Sequence, residues 1–310
     1  MNRKAFLAST GATVGLAAVG ARSGRAAADD TLGLSEAELR SLGKTDVKIC
    51  LQPGMFKLPM AQAIEKIAYY GFPGVESLGI RADEIPAIRA KLDETGVVWQ
   101  CTGAGVGTIG NPKKWKEALG LSAEEEHEKM EQSFRQRVEQ AKALKIKRLL
   151  ALSGQKRQDM TAEQQTAILV KGLKRLAPIA AENDVVIVVE ILNVLINHPG
   201  YFLVYTPQGA EIVQEVGSPN VKLLYDIYHQ QISEGNLINN IKNHIQHIGH
   251  FHIGDNPGRQ WPTTGEINYK NVFKAVKDTG YDGFLAIECG LGPYSPLQAM
   301  KVLHDLTTFA

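Results

Sequence analysis

Four short apolar runs between residues 185 and 289 constrain this chain most. They read Val185-Val186-Ile187-Val188-Val189-Glu190, Val221-Lys222-Leu223-Leu224-Tyr225-Asp226, His250-Phe251-His252-Ile253 and Phe284-Leu285-Ala286-Ile287-Glu288. Short apolar runs bounded by turn residues read as buried strands. Each ends on, or carries near its end, a side chain that binds metals. Glu190, Asp226, His252 and Glu288 are separated by 36, 26 and 36 positions. A strand–helix–strand unit takes roughly 30 residues or more, so the spacing places one such group at the end of each of four successive parallel strands. In a closed barrel those ends converge on one rim, where (β/α)₈ enzymes carry their active sites.

The rest of the chain repeats the unit. Strands are expected at Val47–Leu51, Gly74–Glu76, Val97–Thr102 and Lys147–Leu152, before the four above. Helical patterns lie between them, at Leu58–Tyr70, Ala82–Glu94, a stripe of Met130, Phe134, Val138, Ala141 and Leu144, and a stripe of Ile168, Leu169, Leu173, Leu176 and Ile179. Later crossovers are expected at Pro207–Val216, Leu237–Ile248 and Tyr269–Thr279, with a last helix from Ser295-Pro296 to about Thr307. Ser122 with Glu125, and Thr161 with Gln164, have capping-box spacing. Eight strands alternating with eight helices predict an α/β fold, a single-domain (β/α)₈ TIM barrel over residues 46–310. No G-x-G-x-x-G joins a strand to a helix, so a dinucleotide-binding sheet is not expected.

Residues 1–28 read as an export signal, and residues 29–45 as an acidic, polar linker with a short helical patch. Arg3 and Lys4 open a charged start, Ala8–Gly20 is weakly apolar, and Ala26-Ala27-Ala28 offers a cleavage site. The Arg-Lys-x-Phe-Leu run resembles a twin-arginine signal with lysine in the second basic place. The expectation is an exported, periplasmic protein without a stable membrane span after processing, since the apolar run is too short to cross one. Four of the 34 basic residues and none of the 33 acidic ones precede Asp29, which leaves the remainder near −3. That balance gives no reason to expect a nucleic-acid partner. Cys50, Cys101 and Cys289 are odd in number and lie in apolar runs, so buried free thiols are expected rather than a disulfide framework.

A carboxylate that ends a run of five apolar residues, as Glu190 does, is paired, protonated or metal-bound, because burying a bare charge is costly. Asp226 and Glu288 pose the same question, and His252 completes the set. Three carboxylates and one imidazole suit Mn²⁺, Mg²⁺ or Co²⁺ better than a thiolate-seeking ion. Neither Cys-x-x-Cys nor His-Glu-x-x-His occurs, which argues against structural zinc and zincin chemistry. Loops after the strands supply candidate substrate contacts: His198, His229, Arg259, and the turn-rich Asp255-Asn256-Pro257-Gly258 with Gly265-Glu266. Glu76, ending the second strand, is placed to contact a substrate or orient a ligand. His244, His247 and His250 read as surface residues. The glycine-rich segment Gly103–Leu121 is long enough for a lid.

Val189-Glu190-Ile191-Leu192-Asn193, Tyr225-Asp226-Ile227-Tyr228-His229, Gly249-His250-Phe251-His252-Ile253-Gly254-Asp255-Asn256-Pro257-Gly258-Arg259 and Gly265-Glu266-Ile267-Asn268-Tyr269 together resemble the hydroxypyruvate isomerase group. That group belongs to the xylose-isomerase-like barrels, with the ketose 3-epimerases as relatives. The resemblance covers residues 185–290 sharply and the rest diffusely; Val194-Leu195-Ile196 departs from it by being apolar. It implies a divalent-metal isomerase acting on a small hydroxy-keto acid or carbohydrate through an enediolate. By the same resemblance Glu190, Asp226, His252 and Glu288 bind the metal, Glu190 and Glu288 exchange the proton, and His229 and Arg259 hold the substrate. A ketose 3-epimerase, an exported sugar-binding barrel without turnover, and a trinuclear zinc endonuclease remain as alternatives, and a homo-oligomer is compatible with all of them.

Overall fold

The computed structural model describes residues 35–42, 44–106 and 120–309. The expected export signal and the centre of the expected lid lie outside them. Nine strand segments follow in chain order: β1 (Lys48–Leu51), β2 (Gly74–Val75), β3 (Val98–Trp99), β4 (Cys101–Gly103), β5 (Arg148–Ala151), β6 (Val186–Glu190), β7 (Val221–Asp226), β8 (Ile248–Ile253) and β9 (Phe284–Ile287). Every pairing is parallel, in the order β3-β2-β1-β9-β8-β7-β6-β5-β4. The two ends of that order are one expected strand, interrupted only at Gln100, whose N–H donates to Val75 O at 3.0 Å. The ring therefore closes as a barrel of eight strands, which leaves no exposed sheet edge.

The helices are α1 (Glu36–Ser41), α2 (Met60–Tyr69), α3 (Ile85–Thr95), α4 (His127–Leu144), α5 (Ala162–Glu182), α6 (Thr206–Val216), α7 (Ile227–Ser233), α8 (Leu237–His244), α9 (Tyr269–Asp278) and α10 (Pro296–Thr307). Their expected stripes face the barrel. Phe134, Val138, Ala141 and Leu144 of α4 are buried, as are Leu169, Leu173, Leu176 and Ile179 of α5. Each large apolar side chain so buried contributes about 1.5–3 kcal/mol, well above the few tenths that separate helix propensities. Thr161 with Gln164, and Ser295 with Gln298, form capping boxes that start α5 and α10.

One local expectation is corrected. Ser122 does not cap α4; it is buried in a short 3₁₀ turn and donates to Ser153 O at 2.8 Å. Packing of that turn against the strand end takes the hydroxyl, and α4 starts five residues later. The short helical patch expected before residue 46 is present as α1. Ser35 and Glu38 cap α1 reciprocally, Leu39 is buried, and the Tyr70 hydroxyl donates to Glu36 at 2.7 Å. Among the described residues no helix is long and apolar enough to cross a membrane.

The β7–β8 register shifts between Leu223 and Leu224, so Gly249 is an extra residue in β8. Bulges of this kind re-aim the side chains beyond them. Only glycine fits there, since a Cβ would lie 2.7 Å from Lys222 Cβ. Beyond it, strand alternation turns His250 and His252 to the barrel interior and Phe251 to the helices. His252 then sits beside Asp226 in register.

Candidate active site

Glu190 ends β6, Asp226 ends β7, His252 is the penultimate residue of β8, and Glu288 follows β9. One ligand atom from each lies within 4.8 Å of the others. Two atoms bound to one ion at about 2.0–2.6 Å cannot be much farther apart than about 5 Å, so the set fits a single cation. His252 Nδ1 faces the carboxylates, 2.6 Å from Glu288 Oε2 and 3.4 Å from Glu190 Oε1. It is fully buried, and no atom meets it in hydrogen-bonding geometry. A buried nitrogen without a hydrogen-bond partner, set among three carboxylates, is a donor set that fits a divalent cation.

The other imidazole nitrogen is held from behind. His252 Nε2 lies 2.7 Å from Glu76 Oε1, and His250 Nε2 lies 2.7 Å from Glu76 Oε2. Burial would raise the Glu76 carboxyl, but the two imidazoles outweigh it and hold it down at about 2. Glu76 is therefore an anion that accepts from both rings, which turns His252 Nδ1 toward the carboxylate cluster. Both Glu76 oxygens thus face histidines behind the cluster, in the geometry of the ligand-orienting alternative. His250 is not a surface residue; it is fully buried, and burial lowers its pKa. Its position two residues before His252 in one strand was the signal for this.

Charge in the cluster is uneven. Burial pushes Glu190 up to about 7, with the neighbouring Glu288 adding to the effect and His252 opposing it. Burial would raise Glu288 too, but His252 and the Arg259 guanidinium hold it well below the usual carboxylate range. Burial would lower the His252 imidazole, but Glu288 and Glu76 raise it well above its ordinary value. Arg259 Nη2 lies 2.7 Å from Glu288 Oε2 and 3.3 Å from Asp226 Oδ2, and its guanidinium carbon sits 5.5 Å from the centre of the Tyr228 ring. Three acids thus face the Arg259 guanidinium and the His252 imidazole.

Asp226 also starts α7, a helix the sequence reading left out. Its Oδ1 accepts from Tyr228 N at 2.8 Å and His229 N at 3.2 Å, the N-cap arrangement. One carboxylate so orients the next imidazole and offers its second oxygen to the cluster. His229 is fully buried, with its ring centre 5.1 Å from that of His198. Burial lowers both histidines to about 4, so both are neutral at physiological pH. His198, His229 and Arg259 thus lie together at the rim of the cluster. Asp255 does not: it is buried, and its two oxygens accept from the backbone N–H groups of Asn256, Thr263, Gly265 and Ile267. It scaffolds the loop rather than touching a ligand. Leu195 and Ile196 are exposed at the tip of the loop after β6. Cys50 and Cys101 are buried free thiols, and Cys289 is a half-buried one.

Residues 64–305 match the family described as the xylose isomerase-like TIM barrel. Hydroxypyruvate isomerase of Escherichia coli (strain K12) is 37% identical over 148 residues, 48% of this chain and 57% of that protein. The chain therefore aligns with little more than half the length of that relative. The 2-oxo-tetronate isomerase of Cupriavidus necator is 31% identical over 219 residues, 70% of this chain and 82% of that protein. Among solved structures, AP endonuclease family 2 from Brucella melitensis superposes with a TM-score of 0.71 at 24% identity, covering 79% of this chain and 94% of that one. That last likeness speaks for the fold alone. With the closed parallel barrel, the clustered strand ends and the match over most of its length, this chain belongs to the xylose isomerase-like TIM barrel family.

Proposed function

We propose that the chain is a divalent-metal-dependent isomerase of a small hydroxy-carbonyl compound, hydroxypyruvate isomerase-like in its reaction. The observation that carries this is the pair of carboxylates, Glu190 and Glu288, that approach the His252 Nδ1 nitrogen at 3.4 and 2.6 Å. A binding barrel needs oxygen ligands but not two proton carriers. Glu190, Asp226, His252 and Glu288 would hold Mn²⁺, Mg²⁺ or Co²⁺. When bound, the ion supplies Lewis-acid stabilisation of charge developing on the substrate's carbonyl and hydroxyl oxygens. One glutamate removes the proton from the hydroxyl-bearing carbon next to the carbonyl, the other returns a proton to the former carbonyl carbon, and the hydroxyl proton passes to the former carbonyl oxygen. His229 and Arg259 hold the substrate oxygens, with His198 beside them. The names of the relatives, hydroxypyruvate isomerase and 2-oxo-tetronate isomerase, support a short hydroxy-keto acid over a longer sugar. An endonuclease is disfavoured because the chain after residue 28 carries a small negative net charge, without the basic excess that phosphate binding uses.

The test is a panel of hydroxypyruvate, 2-oxo-tetronate and ketoses with each of the three ions, in heavy water. Turnover of a short keto acid, lost on chelation and restored by metal, is expected, with solvent deuterium at the reacting carbon. Turnover of ketoses alone would make the chain an epimerase, and no turnover on the whole panel would leave only the binding barrel.

Glu76→Gln tests the ligand-orienting role. Glutamine offers one acceptor and one donor, so it cannot accept from both His250 and His252. Metal affinity measured by calorimetry should fall about 10–100-fold, as loss of a group behind a histidine ligand does. An unchanged dissociation constant would remove Glu76 from the site.

A further inference from the structure

The loop after β6 contains a side chain whose hydrogen bonds fix the proton of another. Asn193 is fully buried. Its Oδ1 accepts from Ile196 N at 3.0 Å and from Asn197 N at 3.1 Å. Two backbone donors on one atom identify that atom as the oxygen, so the amide orientation is fixed. The amide nitrogen must then be the other end, and it donates to Asn197 Oδ1 at 2.9 Å and to His229 Nδ1. The Asn193 backbone N–H points at the same His229 Nδ1, at 3.4 Å.

His229 Nδ1 therefore faces two donors and offers none. It carries a lone pair, which excludes both the imidazolium and the Nδ1–H form. The proton of the neutral ring lies on Nε2. That Nε2–H is buried and has no hydrogen-bond partner; Asp226 Oδ2, at 3.5 Å, lies outside hydrogen-bonding geometry. The ring is held on its other sides by the Asp226 cap on its backbone and by His198. We infer that Asn193 is a positioning residue that locks His229 as the Nε2–H tautomer, so that a neutral donor is presented to an oxygen of the substrate. The inference deepens the isomerase reading and rests on it for its kinetic arm; its spectroscopic arm stands on the protein alone.

Asn193→Asp isolates the effect. A carboxylate keeps an oxygen for the Ile196 and Asn197 amides, so the loop stays anchored. Toward His229 it replaces a donor with an acceptor, which pulls the ring proton onto Nδ1. The metal-loaded protein is labelled with ¹⁵N-histidine, and His229 is identified among the eight histidines by its disappearance in His229→Asn. The wild type is expected to show the shift pattern of an Nε2–H ring, and Asn193→Asp that of an Nδ1–H ring or an imidazolium. The kinetic arm expects kcat/KM to fall on the order of 10²-fold or more, as wrong-tautomer histidines do, with metal affinity unchanged. An Nδ1–H pattern in the wild type overturns the inference without any variant having to fold. An Nε2–H pattern that survives in folded Asn193→Asp overturns it as well. If the tautomer switches but no panel substrate reacts even with wild type, the positioning stands and the isomerase reading falls.

Discussion

Glu190→Gln and Glu288→Gln are each expected to lower kcat by about 10²–10⁴-fold, the usual contribution of a general acid or base. Glutamine preserves the shape of the side chain and one oxygen, but it takes no proton at neutral pH. Metal binding, read by calorimetry on the same preparations, should weaken far less than turnover. Asp226→Asn separates the roles. Asparagine keeps an oxygen for the Tyr228 and His229 amides that Asp226 caps, so α7 should survive. Its loss should be partly restored by excess metal, because its place in the scheme is coordination alone. Deuterium uptake adds a direct reading: the Gln variants should lose exchange at the reacting carbon together with turnover. Near-normal kcat in both Gln variants with metal bound would remove the proton-transfer scheme while leaving the fold and the cluster untouched.

The barrel was legible because its signals are local and repeated. Each strand is a short apolar run, each helix carries a stripe that must be buried, and the interval between ligand-type residues is one strand–helix unit. The four-residue cluster followed from the same periodicity, because strand ends in a closed ring must meet. What the sequence hid were choices between partners. Ser122 has the spacing of a helix cap, yet the Ser153 carbonyl takes its hydroxyl, and no property of residues 122–125 announces a partner 31 positions away. Glu76 reads equally well as a substrate contact until His250 and His252, more than 170 residues later, are seen on its two oxygens. His250 was misplaced for a different reason. Alternation puts it on the same face as His252, but the bulge at Gly249 breaks the register just before it, and a polar residue near a strand start reads as exposed. In the sequence Asn193 reads only as part of a motif, because a tautomer is decided by hydrogen bonds that no spacing encodes.

The loop that carries Arg259 makes the other large prediction. Asp255 is buried, and its Oδ1 accepts from Asn256 N at 2.9 Å and Ile267 N at 3.1 Å, its Oδ2 from Thr263 N at 2.9 Å and Gly265 N at 3.0 Å. Its own backbone pairs with Gln260 in both directions, at 2.7 and 3.3 Å. The chain closes so tightly around it that a Cβ on Gly265 would sit 2.1 Å from Asn256 O. Asp255→Ala strips the acceptors from four backbone donors at once. Each unsatisfied buried donor costs about 1–3 kcal/mol, although a rearranging loop recovers part of the total. A net destabilisation of roughly 3–5 kcal/mol is expected, at the upper end for a single substitution. That corresponds to a fall of about 10 °C in the unfolding midpoint for a domain of this size. Asp255→Asn keeps one accepting oxygen and should lose about half as much. Function should fall with it, because Arg259 reaches Glu288 and Asp226 only from a closed loop; KM should rise even where the variant remains folded. Denaturant unfolding with kinetics on the same samples decides the matter. A change below about 1 kcal/mol in Asp255→Ala, with Arg259-dependent binding intact, would show that the loop is held by its apolar residues Trp261 and Ile267 rather than by this carboxylate.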